Sequence, residues 1–97
     1  MNNAEIAKVF LDIAELLKLK KDNIFKIRAY QKAAHSIEKL AVPVEQLVAE
    51  GRLKEIPGVG EAITKKITEL VTTGRLAYHE RLKAEFPDRV DSSKVNK

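Results

Sequence analysis

The sequence predicts an all-α domain, a compact bundle of four to five short helices. Three observations carry that prediction. Apolar residues recur at spacings of three and four in one segment after another. The strict alternation of a half-buried strand never persists. Glycine, proline and Asn/Asp residues fall between the periodic segments, where helices stop and start.

The first helix is capped by Asn2 or Asn3, with Glu5 in its first turn, and shows Ile6, Val9, Phe10, Ile13, Leu16 and Leu17 on one face. It is expected to end near Leu19, where Lys18, Lys20 and Lys21 suit the negative end of the helix dipole. Asp22-Asn23 reads as a turn. A second helix runs from Ile24 to Leu40 with Phe25, Ile27, Ala29, Tyr30, Ala33, Ala34, Ile37 and Leu40; its alanines allow close approach of a neighbouring helix. Pro43 opens a short third helix, Val44 to Glu50, and Gly51 ends it. A fourth helix spans Glu61 to Thr73, with Ile63, Ile67, Leu70 and Val71 facing inward and Gly74 as terminator. The last covers roughly Leu76 to Phe86 and is stopped by Pro87. The domain is therefore residues 1–87, and the polar, aperiodic stretch 88–97 is expected to be a disordered tail. Leu47 to Leu53 and Leu70 to Leu76 share a pattern, a helix ended by Gly and followed by Arg-Leu, which reads as one capping solution used twice.

Ninety-seven residues bound a single domain with a modest core, mostly aliphatic because aromatics make up only 5%. The absence of cysteine excludes disulfides, thiol catalysis and cysteine–zinc sites, and fits a cytoplasmic protein. A net charge of +4 and a pI of about 9.4 are consistent with a phosphate-bearing partner. No apolar run approaches the roughly 20 residues that span a bilayer, and the start has no secretory pattern, so no membrane partner is expected. His35 and His79 have no carboxylate at metal-ligand spacing, and no catalytic triad or P-loop is present.

The informative stretch is Leu53 to Ile67, centred on Pro57-Gly58-Val59-Gly60. Gly58 and Gly60 permit backbone angles closed to other residues and leave N–H groups uncovered. The helix that follows at once adds its own unpaired N–H groups and the positive end of its dipole. Together these form a surface for one phosphate. Val59 is placed to plug between the helices, and Ile56, Ile63 and Ile67 to lock them.

The apolar residue, the Pro-Gly-Val-Gly turn and the isoleucines after it resemble a helix-hairpin-helix motif. Taken with Asn23 to Ala34 and Thr73-Gly74-Arg75-Leu76, the chain from about residue 4 to residue 87 is similar to the amino-terminal 8 kDa domain of family X DNA polymerases, of the bacterial and archaeal type that carries a phosphoesterase domain. The resemblance implies a module of DNA repair that binds single-stranded or gapped DNA near a 5′-phosphate. It also implies a monovalent cation, Na⁺ or K⁺, on the carbonyls of Lys54, Ile56 and Val59; no other cofactor is expected. Nothing resembling the polymerase domain follows Pro87, so the chain reads as an isolated domain or a free-standing relative, without polymerase activity and monomeric.

The residues expected to meet DNA are Gly58, Val59 and Gly60 at the hairpin, Lys54, Lys65 and Lys66 around it, and Lys26, Arg28, Tyr30 and Lys32 on the second helix. Lys26 and Tyr30 lie four apart on one helical face, which suits a phosphate beside a stacked base. No side-chain set looks built to read base edges, so binding without sequence preference is expected. Lys66 aligns with the lysine that, in the eukaryotic branch of the family, forms a Schiff base with a 5′-deoxyribose phosphate. Such a lysine needs a lowered pKa, and Lys65 and Lys54 are the candidate sources of the cationic field. Phe25 and Ala62 stand where the resemblance expects a histidine and a lysine. A third reading, a protein-interaction bundle, is compatible with the mixed-charge surface of Glu15, Glu38, Glu45, Glu50, Glu80 and Glu85.

Overall fold

In the computed structural model, which describes residues 1–89, the chain forms α1 (Asn3–Leu19), α2 (Ile24–Glu38), α3 (Val44–Ala49), a single 3-10 turn (Leu53–Glu55), α4 (Glu61–Thr73) and α5 (Ala77–Ala84). The all-α prediction holds: no strand occurs among the described residues. No helix is long and apolar enough to cross a membrane.

Asn2 caps α1 reciprocally. Its side chain accepts from Glu5 N–H at 2.8 Å, and the Glu5 carboxylate accepts from Asn2 N–H at 2.9 Å. Asn3 reaches across the fold instead. Its amide donates to Val42 O at 2.9 Å and accepts from Val44 N–H at 2.8 Å, fixing the start of α3 against the start of α1. Helix α1 ends at Leu19, as expected, but the turn after it falls at Lys20-Lys21 rather than at Asp22-Asn23. Lys21 takes the left-handed conformation (φ +60°), and Asp22 N–H returns to Leu17 O at 2.9 Å. Asn23 then caps α2, accepting from Phe25 N–H at 2.7 Å. Helix α2 ends two residues before the expected Leu40, and α5 is shorter at both ends than Leu76 to Phe86. Gly51 and Gly74 both terminate helices left-handed, but by different bonds. Arg52 N–H closes on Leu47 O in a six-residue loop, whereas Gly74 N–H makes a simple bond to Leu70 O.

The core is aliphatic, as the composition requires, with one aromatic spine. Phe10 of α1, Tyr30 of α2 and Tyr78 of α5 stack with centroids 5.9 and 6.1 Å apart and planes within 20° of parallel. Ala33 and Ala34 are fully buried where α1 and α2 pack along most of their length. One residue assigned to the apolar pattern of α2 points outward instead: Phe25 is 74% exposed, and Ile24 beside it is half exposed. Both occupy the first turn of the helix, before α1 can cover it.

The face between α1 and α5 carries a polar knot. Asp12 accepts from Arg89 through both carboxylate oxygens, at 2.6 and 3.2 Å, and from His79 Nε2 at 2.7 Å. Because an ionised carboxylate only accepts, His79 must carry its proton on Nε2. Arg89 lies two residues past the expected domain end, so the ordered contacts extend at least that far; the rest of the expected tail, 90–97, lies outside the described residues. Burial by itself would raise the Asp12 carboxyl, but the hydrogen bonds from Arg89 and His79 outweigh it and hold it below the ordinary aspartate value of 3.8. A carboxyl depressed in the folded state stabilises the fold above its unfolded pKa and loses that contribution as pH falls through the folded one. Urea unfolding followed between pH 3 and pH 7 is therefore expected to show an acid-labile limb in the wild type. Asp12→Asn should be less stable at pH 7, with a visibly flatter limb; an unchanged limb would mean the knot contributes nothing.

Candidate nucleic-acid interface

The hairpin is built from a single 3-10 turn rather than from a full helix before it. Ile56 N–H bonds to Leu53 O at 3.0 Å, Pro57 stops the turn, and Val59 N–H reaches back to Ile56 O at 3.0 Å. Val59 is buried in the same core as Ile56, Ile63 and Ile67. Their burial is what the expected plug and lock require. Gly58 needs to be glycine for two reasons. Its φ of +84° is costly for any residue with a Cβ, and a Cβ there would lie 2.9 Å from Cγ and 3.0 Å from Cδ of Lys32. The aliphatic stem of Lys32 therefore lies against the hairpin backbone, bringing α2 to the turn.

Helix α4 begins without a cap. Gly60 offers no side chain, and the first backbone bond of the helix is Thr64 N–H to Gly60 O at 2.9 Å. The N–H groups of Gly60, Glu61, Ala62 and Ile63 consequently have no acceptor among the described residues, and Gly60, Glu61 and Ala62 are exposed. Unpaired N–H groups at the positive end of a helix dipole are a ready site for an anion. Lys54 and Lys65 stand exposed on either side, and both are drawn to Glu61. Lys54 Nζ is hydrogen-bonded to the Glu61 carboxylate, and this bond first, with the nearby charge of Lys65 a lesser cause, holds that carboxyl below its ordinary range.

A second basic group sits over the aromatic spine. Lys66 Nζ lies 4.8 Å and Lys26 Nζ 5.8 Å from the centre of the Tyr78 ring. Burial lowers the Lys66 pKa first; the charges of Lys26 and Arg81 lower it further, and Glu69 only partly opposes them. For Lys26 burial acts in the same direction, but Tyr78 and Asp22, 3.7 Å away, more than offset it and leave its pKa raised.

The structure therefore redistributes the residues expected from the sequence. Gly58, Val59, Gly60, Lys32, Lys54 and Lys65 come together at the hairpin, and Lys26 with Lys66 form the second group. Arg28 is exposed on α2. Tyr30 does not present a ring for stacking. It is 5% exposed between Phe10 and Tyr78, and burial, with Tyr78 beside it, drives its phenol far above the ordinary range. The aromatic that meets the lysines is Tyr78. The cations acting on Lys66 are Lys26 and Arg81, not the expected Lys65 and Lys54. Sequence reasoning missed Tyr78, Arg81 and Glu61. Tyr78 and Arg81 are three apart on α5 and share a face, which was the available signal.

An apolar plug between two glycines, followed by an uncapped helix, defines the class, and the chain belongs to the family of the helix-hairpin-helix domain, whose model matches residues 1–76. Among characterised proteins it is similar to the DNA polymerase/3'-5' exonuclease PolX of Bacillus subtilis (strain 168), with 27% identity over 88 residues, covering 91% of this chain and 15% of that protein. The chain spans about 15% of the length of that relative. The resemblance to the amino-terminal domain of family X polymerases is met by this similarity.

Gly58→Ala is expected to destabilise the fold by about 1–2 kcal/mol from the left-handed backbone alone, and more if the Lys32 stem cannot move aside. Lys32→Met, which keeps the stem, should leave stability near wild type. Denaturant midpoints of the two variants check this, and equal losses in both would refute the assigned contact.

Proposed function

We propose that this chain binds DNA through its phosphate backbone, without sequence preference, with the α4 N-terminus as the principal anion site. The observation that carries the reading is the row of unpaired N–H groups from Gly60 to Ile63 beside a glycine turn braced by Lys32. Backbone amides fix a phosphate but carry no information about the base, and phosphate contacts of this kind position a protein rather than select a sequence. Lys54, Lys65 and Lys32 supply the surrounding positive field. The group of Lys26, Lys66 and Arg81 provides a second contact for a strand that continues past the hairpin, with a 5′-phosphate or a gap as its natural end.

The carbonyls of Lys54 and Val59 accept no hydrogen bond among the described residues, while that of Ile56 accepts from Val59. This donor set fits a monovalent cation, which would neutralise carbonyl dipoles close to the phosphate.

Such binding is expected at roughly 10⁻⁴–10⁻⁶ M at physiological salt. The logarithm of the association constant should fall linearly with the logarithm of salt concentration, with a slope of about −0.7 per phosphate contacted on a single strand. Fluorescence anisotropy of labelled single-stranded and gapped oligonucleotides of several sequences measures both. Affinity independent of salt, or strongly dependent on sequence, would overturn the reading.

One observation favours a second activity at the same surface: the lowered pKa of Lys66. A neutral Lys66 amine would add to the C1′ aldehyde of a ring-opened deoxyribose, and loss of water would give an imine. Removal of a C2′ proton would then break the C3′–O bond and expel the phosphate. Phe25 and Ala62, where a histidine and a lysine were expected, are both exposed and bring no polar group to that reaction. Borohydride trapping on an oligonucleotide with a 5′-deoxyribose phosphate is the test. A covalent adduct lost in Lys66→Ala supports the lyase, and an adduct of equal yield in that variant excludes it.

A further inference from the structure

We infer that Glu61 is a built-in competitor for the hairpin's anion site, an internal carboxylate that holds Lys54 in the free protein and must release it when a phosphate docks. The inference rests on the DNA-binding reading above and names what regulates that site.

Glu61 is the first residue of α4, directly after Gly60, and so its carboxylate belongs to the same helix end as the unpaired N–H groups. A carboxylate in the first turn is favourable for a free helix, because it answers the positive end of the dipole. For an anion arriving from outside it is a like charge within a few ångströms of the seat. The side chains of Lys54 and Glu61 are both more than 60% exposed, so nothing but their mutual attraction keeps them together. They come from different elements, Lys54 from the 3-10 turn before the glycines and Glu61 from the helix after them, and their bond spans the mouth of the hairpin. Lys65, one turn on, feels the same carboxylate. One acidic group therefore offsets the two lysines that flank the phosphate seat, and no other carboxylate among the described residues pairs with either of them.

When phosphate enters, Lys54 exchanges one anionic partner for another, and Glu61 is left beside a second negative charge. Both effects weaken binding relative to a hairpin without the carboxylate. Neither depends on the sequence of the DNA. Exposed pairs of this kind are weak and salt-screened, so the competitor sets a threshold rather than a block.

The test compares wild type, Glu61→Gln, Lys54→Met and the double variant on a 5′-phosphorylated single-stranded oligothymidylate and on a gapped duplex, by anisotropy at several salt concentrations. Circular dichroism confirms that each variant is helical. Glu61→Gln is expected to tighten binding about 3- to 10-fold at low salt, with the gain shrinking as salt rises. Lys54→Met should cost little with Glu61 present and several-fold more in the Glu61→Gln background, because only there is Lys54 fully available. Unchanged or weakened binding in Glu61→Gln, or additive effects in the double variant, overturns the inference. If the wild type itself shows no salt-dependent binding, the underlying DNA reading fails; if it binds as expected while Glu61→Gln matches it, only the competitor fails. Should Glu61→Gln lose helicity, Glu61→Ser, which can cap the helix start without a charge, gives the same comparison.

Discussion

The stack of Phe10, Tyr30 and Tyr78 is the contact on which the arrangement of the molecule depends. It ties α1, α2 and α5 together through three parallel rings. Helix α5 has only eight residues, too few to be stable alone in water, and is held by Tyr78 together with buried Leu76 and Leu82. Once it is in place, consecutive residues serve different faces. Tyr78 turns toward α2 and α4 and meets Lys26 and Lys66, while His79 turns toward α1 and closes on Asp12. A short, intrinsically weak helix thus sets both the second basic group and the knot that anchors Arg89.

The hairpin relies on a different economy. The anion contacts proposed for it are backbone amides, which among substitutions only proline removes, positioned by side chains that stay inside. Val59, Ile56, Ile63 and Ile67 face the core and hold the turn against α4, so the polar work of the site is done by atoms that the core orients. Charge is distributed around this frame. Lys32 lends its methylenes to the turn, and Lys54 and Lys65 share Glu61. The resulting surface is less positive than a count of its lysines implies.

Much of this was legible in the sequence wherever one residue decides the local geometry. The Pro-Gly-Val-Gly turn, the terminators Gly51 and Gly74, and the start of α4 fall where their residue types place them. The inward faces of α1, α2 and α4 also followed from apolar spacing, apart from Phe25 at the start of α2. Most of the misreadings concern distances across elements. Helical spacing puts Lys26 and Tyr30 on one face, but it cannot say that Tyr78, 48 positions later, covers the outer side of Tyr30 and takes its place. It could not pair Lys54 with Glu61 across the glycines, nor bring Arg81 of α5 to Lys66 of α4. Asp12, His79 and Arg89 are separated by 67 and 77 positions and carry no local signature. Lys21 ends α1 in a conformation for which the sequence offers no glycine as a signal.

The knot at Asp12 works as a clasp. Asp12 sits midway along α1, and its carboxylate holds His79 of α5 and Arg89 beyond it. The groove it lines takes in no residue of the Pro57–Gly60 turn. A change at the clasp therefore acts directly on α1 and α5 and reaches the hairpin only through the core they share.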